Sequence, residues 1–187
     1  MILYPTETLY ALGVNALDAI EVSRLFALKG REEGKAVSWL VRNLDDVKRF
    51  APVGEVTKRL ATAFLPGELT LVLPVRDELP KELVGPDRTV GFRISSDPMA
   101  AAIIEAFMSE YDAPLTCTSA NVSGAPTLPT VGEILQQFGP KAGQIDEIHD
   151  DGPRKGLAST VVKVVGEEVT VLREGSIAEA DIRAVVE

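Results

Sequence analysis

One cysteine and one histidine in 187 residues leave little room for the chemistries that depend on them. A single cysteine cannot close an intrachain disulfide, and neither a cysteine-rich metal site nor a paired-histidine zinc motif can be assembled. Apolar runs such as Leu69-Thr70-Leu71-Val72-Leu73 fall far short of the ~18 residues a membrane-spanning helix requires, and no charged-then-apolar leader opens the chain. Basic residues are outnumbered, 19 against 28, for a net charge of -9. Such a chain repels a phosphate backbone as a whole, which argues against wrapping duplex nucleic acid as its main task. There is no GxGxxG. The stretch Gly30-Arg31-Glu32-Glu33-Gly34-Lys35-Ala36 has the outline of a P-loop, but it has too few residues between its glycines and an alanine where the hydroxyl belongs. An enzyme of this composition must work with Lys, Arg, Ser, Thr, Asn and carboxylates. The expected location is the cytoplasm.

What is present is ordinary for a globular domain: 45% hydrophobic and 25% charged residues. The negative charge is uneven. Residues 1–64 carry 9 basic and 8 acidic side chains, the remainder 10 and 20. An anion site should therefore draw on the first third, where Lys29, Arg31 and Lys35 form the strongest basic stretch and Arg24 lies one helical turn earlier.

Strand and helix patterns alternate with short punctuation and no repeat, which predicts one α/β domain. Ile2-Leu3-Tyr4 reads as a strand stopped by Pro5. Asp18 and Glu21 predict a capped helix with Val22, Leu25, Phe26 and Lys29 on one face and Gly30 closing it. Val37 to Val41 is a strand, Asn43 caps a short helix, and Gly54 to Leu65 is a helix with Val56, Leu60, Ala63 and Phe64 inward. Leu69 to Val75 and Thr89 to Ile94 are strands separated by a loop. Asp97-Pro98 opens a helix whose buried stripe should be Ala102, Ile103 and Phe107. Pro114 to Thr118 is a strand running into the turn-forming segment Ser119 to Gly124, where a site is expected because strand ends open into crevices. Thr130 and Glu133 cap a helix ending at Gly139. Ser159 to Val165 and Val169 to Arg173 form a hairpin around Gly166, and a last helix is capped by Ser176 and Glu179.

Cys117 reads as a buried structural thiol, and His149, flanked by acids and without a nucleophile, as a surface or turn residue. Asp150-Asp151 before Gly152 fits an Asx turn better than a metal site. Four segments rich in hydroxyls and cations remain: Pro5-Thr6-Glu7-Thr8, Lys29-Gly30-Arg31, Thr118 to Gly124, and Ser159-Thr160 with Arg173. Each has a structural explanation when taken singly.

In combination, and in order along nearly the whole chain, these segments resemble the YrdC family of threonylcarbamoyl-AMP synthases. Tyr4 to Gly13 is similar to the family's YPT(D/E)TxYGLG opening, and Lys29-Gly30-Arg31 with Ser119-Ala120-Asn121 to its paired KxR and SxN signature. Pro66-Gly67-Glu68-Leu69-Thr70 is similar to PGxxT, Phe92-Arg93-Ile94 to the central VRxP region, Ser159-Thr160-Val161-Val162 to STVV, and Arg173-Glu174-Gly175 to the closing RxG.

The resemblance implies a twisted mixed sheet flanked by helices around a large concave site, not a Rossmann topology. It implies a single domain over 1–187 that lacks the family's first N-terminal helix. It further implies a synthase that makes threonylcarbamoyl-AMP and pyrophosphate from L-threonine, bicarbonate and ATP for tRNA modification, with Mg2+ accompanying ATP, no tightly bound cofactor and no protein-held metal. A downstream threonylcarbamoyl transferase acting on tRNA would be its partner, with at most weak contact to RNA and none to a membrane. Lys29, Arg31, Ser119 and Asn121 would be catalytic. Lys29, Arg31, Thr89, Asn121, Thr130 and Arg173 would bind ATP, and Thr6, Arg93, Ser119 and Ser159 would bind threonine. An RNA-binding module, or a carbamoyl-transfer enzyme of the same fold, stands as the alternative. The chain departs from the family at Ala11, which replaces a common glycine, at Ala36, and at Ser38, where some relatives place a histidine.

Overall fold

A computed structural model describes residues 1–32, 37–76, 78–80, 83–85 and 87–186. Glu33, Gly34, Lys35 and Ala36, four of the seven residues of the P-loop-like stretch, lie outside the described residues. The strands are β1 (Ile2–Pro5), β2 (Tyr10–Gly13), β3 (Ser38–Leu40), β4 (Leu69–Pro74), β5 (Thr89–Arg93), β6 (Leu115–Ser119), β7 (Glu147–Ile148), β8 (Thr160–Val165) and β9 (Glu168–Arg173). The helices are α1 (Ala19–Lys29), α2 (Leu44–Phe50), α3 (Glu55–Phe64), α4 (Pro98–Tyr111), α5 (Val131–Phe138) and α6 (Glu179–Val186), with a 3-10 segment over Gly139–Gln144. The nine strands of the described residues join one sheet in the order β7-β1-β2-β6-β3-β5-β4-β8-β9. Its pairings are mixed: β1 with β7, β3 with β5 and β4 with β8 are parallel, and the others antiparallel. No described helix is long and apolar enough to cross a membrane.

Local signals account for most element ends. The Asp18 carboxylate accepts from the backbone N–H groups of Ile20 and Glu21, Asn43 caps α2 and Asp97 caps α4 in the same way, and Thr130 accepts from Glu133 N–H. Gly30 ends α1 at φ 61, a left-handed conformation that glycine takes without a Cβ penalty. Three expectations need correction. The buried stripe of α4 is Ala100, Ile104 and Met108; the expected Ile103 and Phe107 pack half-buried beside it and Ala102 is exposed, because the helix rests on the sheet one residue out of the expected phase. Ala63 is exposed on α3, where Thr57 and Ala61 are buried instead. The last helix is not capped by Ser176, since the Glu174 carboxylate accepts from Glu179 N–H at 2.8 Å.

The two faces of the sheet do different work, because alternate residues of a strand point to opposite sides. Trp39, Leu71, Phe92, Leu12 and Val162 face the main core, where Trp39 meets Phe50 and Phe92 edge to face at centroid distances of 5.3 and 5.8 Å. On the other face, Tyr4, Ala11, Leu40, Leu115 and Cys117 pack under Ala100, Ile104 and Met108 of α4. This single helix covers only part of that face, and the uncovered part is the floor of a cleft.

Candidate functional site

Strand register assembles the floor. Ala11 pairs with Ser119, Ser38 with Cys117, Thr70 with both Arg93 and Val161, and Val161 with Arg173. These residues therefore share one face of seven neighbouring strands, opposite Trp39. Gly91 lies on the same face, and a Cβ there would lie 2.7 Å from the Ser38 hydroxyl and 3.0 Å from Thr70 Cγ2, so its missing side chain keeps the floor flat. The cleft encloses ≈ 360 Å³, and its lining includes Arg31, Arg93, Arg173, seven serines and threonines besides Thr70, and no carboxylate among the described residues. In a chain of net charge -9 this is a local concentration of positive charge.

Arg93 sits at the end of β5 and is 7% exposed. One terminal amine of its guanidinium donates to Glu7 Oε1 at 2.8 Å and to Thr8 Oγ1 at 2.6 Å, while its Nε has no hydrogen-bond partner among the described residues. Burial pushes the Glu7 carboxyl up, but the charge of Arg93 and the hydrogen bonds from Ser95 and Arg93 outweigh it and hold Glu7 below its ordinary range. Burial likewise works against the Arg93 cation, yet its neighbours, Cys117 and Glu7 foremost, raise it. Both partners are thus held ionised as a pair.

Arg173, at the end of β9, donates through Nε and a terminal amine to Ser159 O at 3.2 and 2.7 Å, and to Ser159 Oγ at 3.3 Å. Ser159 Oγ is also 2.9 Å from Thr70 Oγ1. Burial, and then the like charge of Arg93, lower the Arg173 cation below its ordinary range. Arg31 follows the left-handed turn at Gly30, lies 5.5 Å over the Phe26 ring and reaches Thr118 Oγ1 at 3.5 Å. An anion entering between Arg93 and Arg173 would offset their mutual repulsion.

Six of the ten residues expected at the site, Thr6, Arg31, Arg93, Ser119, Ser159 and Arg173, line the cleft together. The other four do not. Lys29 is 3% exposed behind the wall, where its ammonium meets Ser119 O, Asn121 O at 3.0 Å and Asn121 Oδ1 at 3.5 Å. Burial, with the Arg31 charge second, lowers it to about 7. Asn121 donates from Nδ2 to Val122 O and Ala125 O at 3.1 and 2.6 Å and accepts from Ser119 Oγ at 2.6 Å, so it organises its own turn. Thr130 is occupied as the cap of α5, its hydroxyl also donating to Glu133. Thr89 lies at the far end of β5 from Arg93, paired with Pro74.

The cleft also contains residues that sequence reasoning leaves out. Thr8, inside the quoted Pro5-Thr6-Glu7-Thr8 motif, is the hydroxyl that reaches Arg93, whereas Thr6 Oγ1 donates to Leu9 O at 2.6 Å and accepts from the N–H groups of Thr8 and Leu9. Cys117 is buried as expected, but on the face of the cleft. Segment 150–158 closes one side: Tyr10 Oη donates to Gly152 O at 2.8 Å, Arg154 bridges Thr6 O and Asp97, and Gly156 N–H donates to Thr8 O at 3.2 Å. Asp150 accepts from Gly152 N–H at 3.0 Å in the expected Asx turn, and His149 pairs with Glu147 at 2.6 Å.

A family model for Sua5, YciO and YrdC proteins, described as "Telomere recombination", matches residues 1–175. A Pyrococcus abyssi protein named threonylcarbamoyl-AMP synthase is 34% identical over 188 residues, all of this chain and 53% of its own length. The crystal structure of P. abyssi Sua5 complexed with L-threonine is similar at a TM-score of 0.87 and 33% identity, over 98% of this chain and 53% of that one. Escherichia coli YciO is similar at a TM-score of 0.83 and 27% identity, over 97% of this chain and 85% of that one. The chain thus spans about half the length of the P. abyssi relative it matches.

Proposed function

Because the chain belongs to the Sua5, YciO and YrdC family, we propose that it is a threonylcarbamoyl-AMP synthase that joins L-threonine, bicarbonate and ATP. The observation that carries this reading is the convergence of Arg31, Arg93 and Arg173 with serine and threonine hydroxyls on one sheet face, without a lining carboxylate among the described residues. Such a surface suits two anionic substrates and a reaction whose charge develops on phosphoryl oxygens.

The threonine amine and bicarbonate form a carbamate with loss of water. A carbamate oxygen then attacks the α-phosphorus of ATP, the bond between the α-phosphorus and the bridging oxygen breaks, and pyrophosphate leaves. Alignment and charge neutralisation supply most of the catalysis in such a transfer, so no covalent nucleophile is required. Arg93, at the deep end with its unpartnered Nε, takes the threonine carboxylate. Ser159 and Thr8 beside it offer hydroxyls for the polar atoms of the amino acid. Arg31 and Arg173, nearer solvent, present planar forks to the phosphates, and Mg2+ enters with ATP as its counter-ion. The product, a mixed anhydride, is consumed by a transferase that passes the threonylcarbamoyl group to tRNA.

The test is pyrophosphate release. It should require threonine, bicarbonate and ATP together; release that is indifferent to threonine would overturn the reading.

A further inference from the structure

Lys29 and Asn121 belong to the paired signature, yet neither presents a free polar group to the cleft. An ammonium has three N–H donors, and those of Lys29 face three oxygens: Ser119 O, Asn121 O and Asn121 Oδ1. The main chain of Lys29 joins the same turn, its carbonyl accepting from Ser123 N–H at 2.7 Å. Asn121 is equally committed, with both N–H groups of its amide given to Val122 O and Ala125 O and its Oδ1 taken by Ser119 and Lys29. We infer that Lys29 and Asn121 are positioning residues, one coupled strut that fixes the 119–125 turn behind the cleft wall, while Arg31 and Ser119 are the members of the signature that meet the ligand.

Resting on the synthase reading for its ligands but not for its structural readout, this inference separates two kinds of loss. A phosphate ligand stabilises ATP more than AMP. A strut that shapes the wall affects both alike and holds the turn closed. Hydrogen bonds to charged groups are typically worth enough to change an equilibrium ~10- to 100-fold.

The experiment measures, below pH 7 where Lys29 holds its proton, amide hydrogen exchange at Ser123 and Ala125 together with calorimetric binding of ATP and of AMP, in wild type, Lys29→Met and Arg31→Ala. In Lys29→Met, exchange at Ser123 should accelerate ~10-fold or more and the two nucleotides should weaken by the same factor. In Arg31→Ala, exchange at Ser123 should stay within ~2-fold of wild type and ATP should weaken more than AMP. Unchanged exchange in Lys29→Met, or a loss confined to ATP, overturns the inference. Should Lys29→Met not fold, Asn121→Ala leaves the ammonium in place and should still accelerate Ser123 exchange; failure to do so also overturns it. If wild type binds neither nucleotide, the synthase reading falls, and the exchange measurement alone decides the strut.

Discussion

Substituting alanine for Gly175 adds one methyl group where the backbone leaves no room. A Cβ at this position would lie 2.0 Å from Ala158 O and 2.7 and 2.8 Å from the carbonyl carbon and oxygen of Ser159. These atoms are main chain, so no rotamer change can relieve the overlap. They are also tied down: Ser159 O receives the Arg173 guanidinium, and Gly175 N–H donates to Thr160 Oγ1 at 2.9 Å. Overpacking costs about 1–3 kcal/mol where side chains can adjust, so a fixed backbone puts Gly175→Ala at ~3 kcal/mol or above. At ~2–4 °C per kcal/mol for a chain of this size, Tm should fall by about 6–12 °C. Two other glycines calibrate the measurement. Gly166 has φ 61 with nothing within 4 Å of a Cβ, so alanine there meets only backbone strain, worth ~1–2 kcal/mol. Gly132 lies in α5 with nothing within 4 Å and no left-handed φ, so alanine should stabilise by at most ~1 kcal/mol. Urea denaturation with unchanged m-values would rank the three. Because the displaced carbonyl anchors Arg173, Gly175→Ala should also weaken nucleotide binding, while Gly166→Ala should not. A Gly175→Ala protein within ~0.5 kcal/mol of wild type, or one more stable than Gly166→Ala, would refute the steric reasoning.

Two further predictions concern pH. Lys29 titrates at about 7 in the folded protein, below its ordinary 10.5, so between these values the unfolded chain holds a proton that the folded one has lost. Stability should therefore rise with pH across that window by up to ~1.4 kcal/mol per unit; the wild type minus Lys29→Met difference isolates this slope, and a flat difference would contradict it. Glu7 gives a slope of the same sign in the acid range. Its folded value lies below the ordinary 4.5, so the stability it contributes is present above 4.5 and is lost as pH falls through the folded value. Glu7→Gln should cost ~3 kcal/mol or more at neutral pH, by leaving the Arg93 charge buried without its partner, and should flatten the acid limb of the stability curve; an acid limb identical to wild type would show that the pair carries little.

The fold was legible where local chemistry decides it and obscure where tertiary contact does. Asp18, Asn43, Asp97 and Thr130 mark helix starts by hydrogen bonds that depend only on nearby residues, and the structure contains all four. Strand β7 is two exposed residues that exist as a strand only because β1 offers them an edge. No propensity of Glu147 or Ile148 could announce it. The phase of α4 failed for a related reason: a run such as Met99-Ala100-Ala101-Ala102-Ile103-Ile104 is apolar around most of the helix, so the sheet, not the pattern, chooses which residues are buried.

The cleft presents a harder case, because its residues alternate with those of the core. Ala11 precedes Leu12, Ser38 precedes Trp39, Thr70 precedes Leu71, and Gly91 and Arg93 flank Phe92. A period of two is visible in each strand, but it does not say which polar faces are solvated and which look into a common hollow. That depends on the register that sets Thr70 between Arg93 and Val161. The motifs located the neighbourhood, and the resemblance gave Lys29 and Asn121 to ATP, but residue type alone does not distinguish a ligand from a support. A lysine that binds phosphate and a lysine that clamps a turn look identical in sequence, since both need a long cationic side chain near backbone oxygens or phosphate oxygens. Only the count of acceptors around Nζ separates them, and for Lys29 that count already equals the number of donors an ammonium has. Arg31, two residues on and past the left-handed turn at Gly30, points into the cleft instead. The signature is therefore one structural device built around a turn, with one cation holding the turn in place and the other carried by it into the cleft.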